Sequence, residues 1–184
     1  MIDAKKLAEK MFSTERLHAL LQDHARILSG FVPTLKGAEL MPMLFLINGE
    51  KQVALPCPLP EEKHETMFKL GMFVGRARLI VMAVVFVSEA WKKEMSVAES
   101  VRMAEHFLPP SKCPDRQEII SMTGRTVDGR VAIALAPIQR SGAASGLGKW
   151  TFSEPGKKVE DNLLRHFFNG YARASRAEIL HPPE

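Results

Sequence analysis

Carboxylates lie near the ends of apolar segments, and their types and spacing could support chemistry. Glu89 follows the apolar run 79–88, while Asp115 and Glu118 flank Arg116 in a short segment typical of a turn. A carboxylate that leaves an apolar strand is a candidate general acid or base, because desolvation raises its pKa. Glu89, Asp115 and Glu118 would also offer oxygen ligands to Mg²⁺ or Mn²⁺. These residues, with Arg116, predict a divalent-metal hydrolase, acting for example on nucleic acid, as one candidate function.

Each of these side chains also has a structural interpretation. Glu89 could mark the boundary with solvent or pair with Arg116 or another cation, as carboxylates at strand ends commonly do. Asp115 could bond its own backbone two residues on, as in an ordinary turn. Because no reactive group of known spacing surrounds them, the leading hypothesis is a small non-catalytic protein that binds a partner or associates with itself.

Two enzyme motifs are approached without being matched. A restriction-type nuclease needs Pro-Asp and then Asp/Glu-x-Lys on a strand, whereas this chain has Pro114-Asp115 and Asp128-Gly-Arg130, with Arg in place of Lys. A phosphate-binding loop needs four residues between Gly and Gly-Lys, but five separate Gly142 from Gly148-Lys149. The six histidines show no spacing typical of zinc ligands. No cofactor is therefore predicted.

The elements that position these residues centre on the run Leu79-Ile-Val-Met-Ala-Val-Val-Phe-Val-Ser88. It carries no charge and many β-branched side chains, which predicts a strand covered by helices on both faces. A β-hairpin is predicted on either side of it. In the first, Asn48-Gly49 suits the two positive φ values of a type I′ turn. The extended segments are predicted at 42–47, 51–55, 79–88, 117–125, 130–138 and 149–153, with a small-residue loop at 141–148.

Apolar residues recurring at three- and four-residue intervals predict the helices. Ser13 can cap a second segment of the first helix, and Ser96 with Glu99 has capping-box form. The helices are predicted at 3–29, 61–76, 97–107 and 158–177. The chain is thus predicted as a single α+β domain, 1–184. Its five- or six-stranded, mostly antiparallel sheet contains a ββαβ unit, with long N- and C-terminal helices packed on it.

Composition limits the function classes. The 184 residues are 46% hydrophobic, which suffices for an ordered core, and 25 basic against 21 acidic residues leave a net charge of only +4. A nucleic-acid accessory protein using Arg125, Arg130, Arg140 and Lys149 stays a third hypothesis, although the cations are not clustered. Two isolated cysteines and the lack of a signal or membrane-spanning segment predict a soluble cytoplasmic protein without a membrane partner. Unpaired hairpin edges and the apolar last helix favour a homo-oligomer.

Two segments carry a resemblance. Val87-Ser-Glu-Ala-Trp91 and Pro114-Asp-Arg-Gln-Glu118 resemble segments of uncharacterised bacterial and phage-encoded proteins, in which a Ser-Glu-Ala-Trp strand end precedes a Pro-Asp-Arg-Glu-type turn and a hairpin. The resemblance covers roughly residues 40–140 and implies no activity. It does imply that Glu89, Trp91, Asp115, Arg116 and Glu118 lie near each other.

Overall fold

The computed structural model describes residues 12–49, 51–92, 116–141, 144–155 and 159–180, and it has α+β architecture. Its helices lie on both faces of an antiparallel sheet, and among the described residues no helix is long and apolar enough to cross a membrane. The elements are α1 Thr14–Phe31, a 3₁₀ turn Val32–Leu35, β1 Met43–Asn48, β2 Lys51–Pro56, α2 Lys63–Arg76, β3 Ala83–Lys92, β4 Gln117–Thr126, β5 Val131–Ser141, β6 Ala144–Leu147, β7 Thr151–Phe152 and α3 Leu163–Leu180. The predicted helix 97–107 and the first residues of the predicted helix 3–29 lie outside the described residues.

Within the described residues the sheet has seven strands rather than five or six, in the order β2-β1-β3-β4-β5-β6, with β7 beside β5. Every neighbouring pair is antiparallel. The prediction of a loop over 141–148 is wrong, because β6 lies within it. Strand β5 runs to Ser141, past the predicted end at 138, and β6 pairs with this extension from Ser141↔Ala144 to Ile138↔Leu147.

The central strand β3 is buried on both faces, as its sequence predicts. Val85 and Val87 pack in the cluster that α1 covers, together with Leu17 and Leu21. Val84 and Phe86 point the other way, into the cluster formed with α2 and α3. Ser13 caps α1 by accepting the amide of Arg16, which confirms the predicted cap. The helices on both faces supply the cover that such an apolar strand needs.

Two local predictions need correction. The core strand begins at Ala83 and ends at Lys92, so Glu89 lies inside the strand and not after it. Leu79 is instead an exposed residue of the connection from α2, directly after Arg78, whose φ is 57°. In the first hairpin Asn48 pairs with Lys51, so Gly49 is the first turn residue, with a φ of 63°. Asn48 belongs to β1 because its backbone still pairs with β2.

Helices α2 and α3 touch through small residues. A methyl group on Gly71 would overlap the backbone oxygen of Phe167, and one on Gly170 would overlap that of Phe68. Gly71 faces Phe167 and Gly75 faces Ala174, so the two helices run in the same direction. Small residues four positions apart allow such backbone-to-backbone contact, with Cα–H groups against carbonyl oxygens.

Tyr171 anchors α3 to the connection before β3 and makes alkaline pH a test of the fold. Its hydroxyl donates to the Leu79 carbonyl at 3.0 Å and accepts the Val81 amide at 3.4 Å. Burial raises the pKa of Tyr171, because the tyrosinate would lose its water. The unfolded chain releases this proton near pH 10 while the folded chain retains it, so the free energy of unfolding is expected to fall as the pH rises above about 10.

This expectation is measurable because the chain has a single tyrosine. Tyrosinate absorbance should titrate above pH 10 in the native protein, and at about pH 10 in denaturant. Tyr171→Phe is the control. It should show no tyrosinate absorbance, and it should lack the part of the fall in the free energy of unfolding that comes from the Tyr171 hydroxyl. A native midpoint equal to that in denaturant would contradict the buried, hydrogen-bonded hydroxyl.

Candidate functional site

The carboxyl ends of β3 and β5 and the amino end of β4 lie side by side. They bring candidate residues together at one corner of the sheet, on the face that α1 covers. Trp91 pairs with Glu118 across the β3–β4 ladder. Alternate residues of a strand share a face, so Glu89 and Trp91 lie on the same side as Val87. We call the set Glu89, Trp91, Arg116, Glu118 and Arg140 the strand-end corner. Asp115, the remaining candidate, lies outside the described residues.

Arg140 holds both carboxylates of the corner. Its Nε donates to Glu118 Oε2 at 2.6 Å, and its Nη2 lies 3.2 Å from Glu89 Oε2. Its Nη1 donates to the Gly37 carbonyl at 3.0 Å. The hydrogen bond to Glu118 raises the pKa of Arg140 above its already high value, against the opposing effect of burial. Each nitrogen of the guanidinium is thus engaged, and its charge lies between two negative charges.

Glu89 also fastens a backbone segment to the sheet. Its Oε1 accepts the amide of Leu40 at 2.8 Å, while Oε2 faces Arg140. The segment before Leu40 turns through Lys36 and Gly37, both with positive φ, 49° and 86°. Both oxygens of Glu89 are therefore engaged in holding the chain. This geometry favours the structural interpretation of Glu89, with Arg140 as the partner instead of Arg116.

Arg116 instead covers Trp91. Its guanidinium carbon lies 4.6 Å from the centre of the indole ring, a cation–π contact. Beside them is a pocket of about 210 Å³, whose walls combine apolar side chains with the carboxylates of Glu39, Glu89 and Glu118. The pocket is small and open, and Arg140 engages two of its three carboxylates, Glu89 and Glu118.

The structure offers limited support for a metal centre. Within the described ranges, no three His, Cys, Asp or Glu side chains come close enough together to hold a metal ion. Glu89 and Glu118 do come together, but Arg140 occupies the position between them that a metal ion would need. Cys57 is buried against the sulfur of Met67 at 4.0 Å, and burial raises the pKa of its thiol. A neutral buried thiol is a poor metal ligand.

The basic residues predicted for nucleic acid do not form one strip. Arg125 lies 3.6 Å from Asp161, which precedes α3, and both side chains are largely buried. Arg130 pairs with Asp128 at 2.8 Å and donates to the Phe12 carbonyl. Arg125 lies opposite Val84 on the α2–α3 face, whereas Arg140 lies on the α1 face. Of the four predicted cations, Arg140 and Lys149 are exposed, and Arg140 is engaged by Glu89 and Glu118.

Sequence reasoning named Arg140 but did not place it in this corner. The predicted strand ended at residue 138, which left Arg140 just beyond it, between the strand and the loop predicted at 141–148. Alternation from Ala134 and Ala136 through Ile138 would have placed Arg140 on the core face, just past the core. The signal was present, and the early strand end concealed it.

Comparisons with protein-family models, curated proteins and solved structures found no significant match. The resemblance to bacterial and phage-encoded proteins stays a prediction, and the strand-end corner has to be interpreted from its own geometry.

Proposed function

We propose that this chain is a cytoplasmic, non-catalytic protein that acts by binding a partner or by association with copies of itself. One observation supports the non-catalytic part of the proposal. Arg140 engages Glu89 and Glu118, and the Leu40 amide donates a hydrogen bond to the other oxygen of Glu89. A general base needs a carboxylate that can reach a substrate proton. These carboxylates instead hold β3, β4, β5 and the segment 37–40 together.

A metal titration tests this part. The melting temperature should stay unchanged in Mg²⁺, Mn²⁺ or Zn²⁺, because the guanidinium already lies between the two carboxylates and engages both. A site with a Kd of about 10 µM would add about 2.7 kcal/mol in about 1 mM metal, which would raise the melting temperature by roughly 5–10 °C. Glu89→Gln/Glu118→Gln is the matched control. A rise in the native chain that this variant lacks would overturn the proposal.

A divalent-metal hydrolase using Glu89, Asp115 and Glu118 is the second candidate. What favours it is that Glu89 and Glu118 share one cation and so lie close together. Asp115 directly precedes Arg116, which contacts Trp91 in the same corner. The metal titration separates this candidate from the first.

Self-association is supported by the edge of the sheet. Among the described strands, β2 lies at one edge of the sheet, and all its residues but Leu55 are exposed. We take β1, β2, α2 and β3 as the ββαβ unit that presents this edge. The proposal requires a dimer whose population rises with protein concentration in sizing and light-scattering experiments.

A further inference from the structure

The edge of β2 is paired with no described strand, and between its two ends it lacks the usual protection against pairing. Its register with β1 is continuous from Asn48↔Lys51 to Met43↔Pro56, without a bulge. Charge and proline stand only at its two ends, Lys51 and Pro56. Edge strands use such features to block pairing, because exposed N–H and C=O groups are a template for another strand.

The hydrogen-bonding pattern of the hairpin decides which groups point outward. The Cys57 amide donates to the Pro42 carbonyl at 2.8 Å, so these two residues form a hydrogen-bonded pair. Such pairs alternate along an antiparallel ladder, which directs Lys51, Val53 and Leu55 towards β1. The backbone groups of Gln52 and Ala54 therefore point away from the sheet. Each presents both a donor and an acceptor.

We propose that β2 pairs with β2 of a second copy, antiparallel and about a two-fold axis at Val53. In this register Gln52 of each copy exchanges both backbone hydrogen bonds with Ala54 of the other. All outward amides of 51–55 are then satisfied. The two sheets become one continuous sheet through the axis.

Side chains favour the same register. Val53 is 52% exposed and lies opposite Leu46, on the face that α2 covers. At the axis the two Val53 side chains meet on that face, and water leaves both. Each Lys51 lies beside Leu55 of the other copy, so the like charges stay at opposite ends. A shift of the pairing towards the turn would bring the two lysines together.

A second copy fits this edge because the outward backbone donors and acceptors of Gln52 and Ala54 match those of Ala54 and Gln52 in another copy. The inference rests on the self-association proposed above and names its surface and register. A contact of one short strand with its copy falls below the size of standard stable interfaces, so we expect a dissociation constant of roughly 1–100 µM.

Disulfide trapping tests the register. A non-hydrogen-bonded pair at the axis holds its Cα atoms about 4.5 Å apart, within the range of a disulfide. Val53→Cys should therefore form a covalent dimer under mild oxidation. Ala54→Cys is the matched control, because residue 54 faces residue 52 of the other copy and lies about 8 Å from its own counterpart, beyond bridging distance. We expect at least about tenfold more dimer from Val53→Cys, and the native chain reports any background from Cys57 and Cys113.

A proline variant tests the hydrogen bonds independently. Ala54→Pro removes only an outward amide, and proline is tolerated on an edge strand. The dimer should weaken by at least about tenfold, the equivalent of about 1.4 kcal/mol. The circular dichroism and the melting temperature of the dilute monomer should stay unchanged.

The outcomes separate the two proposals. A dimer seen by light scattering, with equal trapping at 53 and 54 and no effect of Ala54→Pro, would overturn the β2 pairing and leave self-association intact. A chain that stays monomeric at about 1 mM, far above the expected dissociation constant, and is not trapped at residue 53 would overturn both.

Discussion

Replacing Gly71 by alanine is expected to lower the free energy of unfolding by about 3 kcal/mol, the upper end for overpacking a core. The added methyl group would overlap the Phe167 backbone oxygen, and a backbone atom cannot move aside as a side chain can. Helix α3 would have to shift away from α2. Phe167 and Tyr171 would then lose contact with the cluster they share with Met67 and Val74. Urea unfolding followed by circular dichroism measures the effect.

Gly30→Ala is the matched control for this substitution. Gly30 also lies in a helix, but a methyl group there would meet nothing within 4 Å. Alanine should therefore stabilise the chain by about 0.5–1 kcal/mol through helix propensity alone. Gly170→Ala should be as damaging as Gly71→Ala, because its methyl group would overlap the Phe68 oxygen. Equal stability of Gly71→Ala and Gly30→Ala would contradict the close crossing.

The sequence predicts local elements better than their long-range partners. The hairpin 43–56 and the two-sided burial of β3 follow from turn residues and apolar pattern, which are local signals. The limits of β3 do not, because pairing with β4 extends the strand to Lys92 and leaves Leu79 outside. The spacing of Gly71 and Gly75 is visible in the chain, but it does not say which helix they meet.

The candidate site shows the same contrast between local signals, which the sequence contains, and long-range partners, which it does not reveal. Turn and strand-end patterns drew attention to Glu89, Arg116 and Glu118, and the β3–β4 register places them in one corner. The charge partner of Glu89 and Glu118 comes from β5, more than 20 residues further along, at Arg140. Which cation reaches a carboxylate depends on strand order and register. Neither is encoded in a short motif.

Arg140→Met is expected to lower the free energy of unfolding by about 2 kcal/mol, between the values for exposed and for buried ion pairs. Methionine keeps the length of the stem, so the loss is mainly that of the charge. Glu89 and Glu118 would then face each other without a cation between them, and the Gly37 carbonyl would lose its donor. Arg26→Met is the matched control, since the ion pair of Arg26 with Asp23 is 80% and 62% exposed and should be worth about 0.5 kcal/mol or less.

A second substitution identifies the cause of that loss. If the repulsion of two unneutralised carboxylates dominates, adding Glu118→Gln to Arg140→Met should recover about half of the lost stability, whereas Glu118→Gln alone should destabilise the native chain. If the two substitutions are simply additive, Arg140 does not act through Glu118. The same double-mutant cycle bears on function. A corner held together by Arg140 must lose stability when the cation is removed, whereas carboxylates poised for a metal would gain Mn²⁺ binding and recover their stability with the metal.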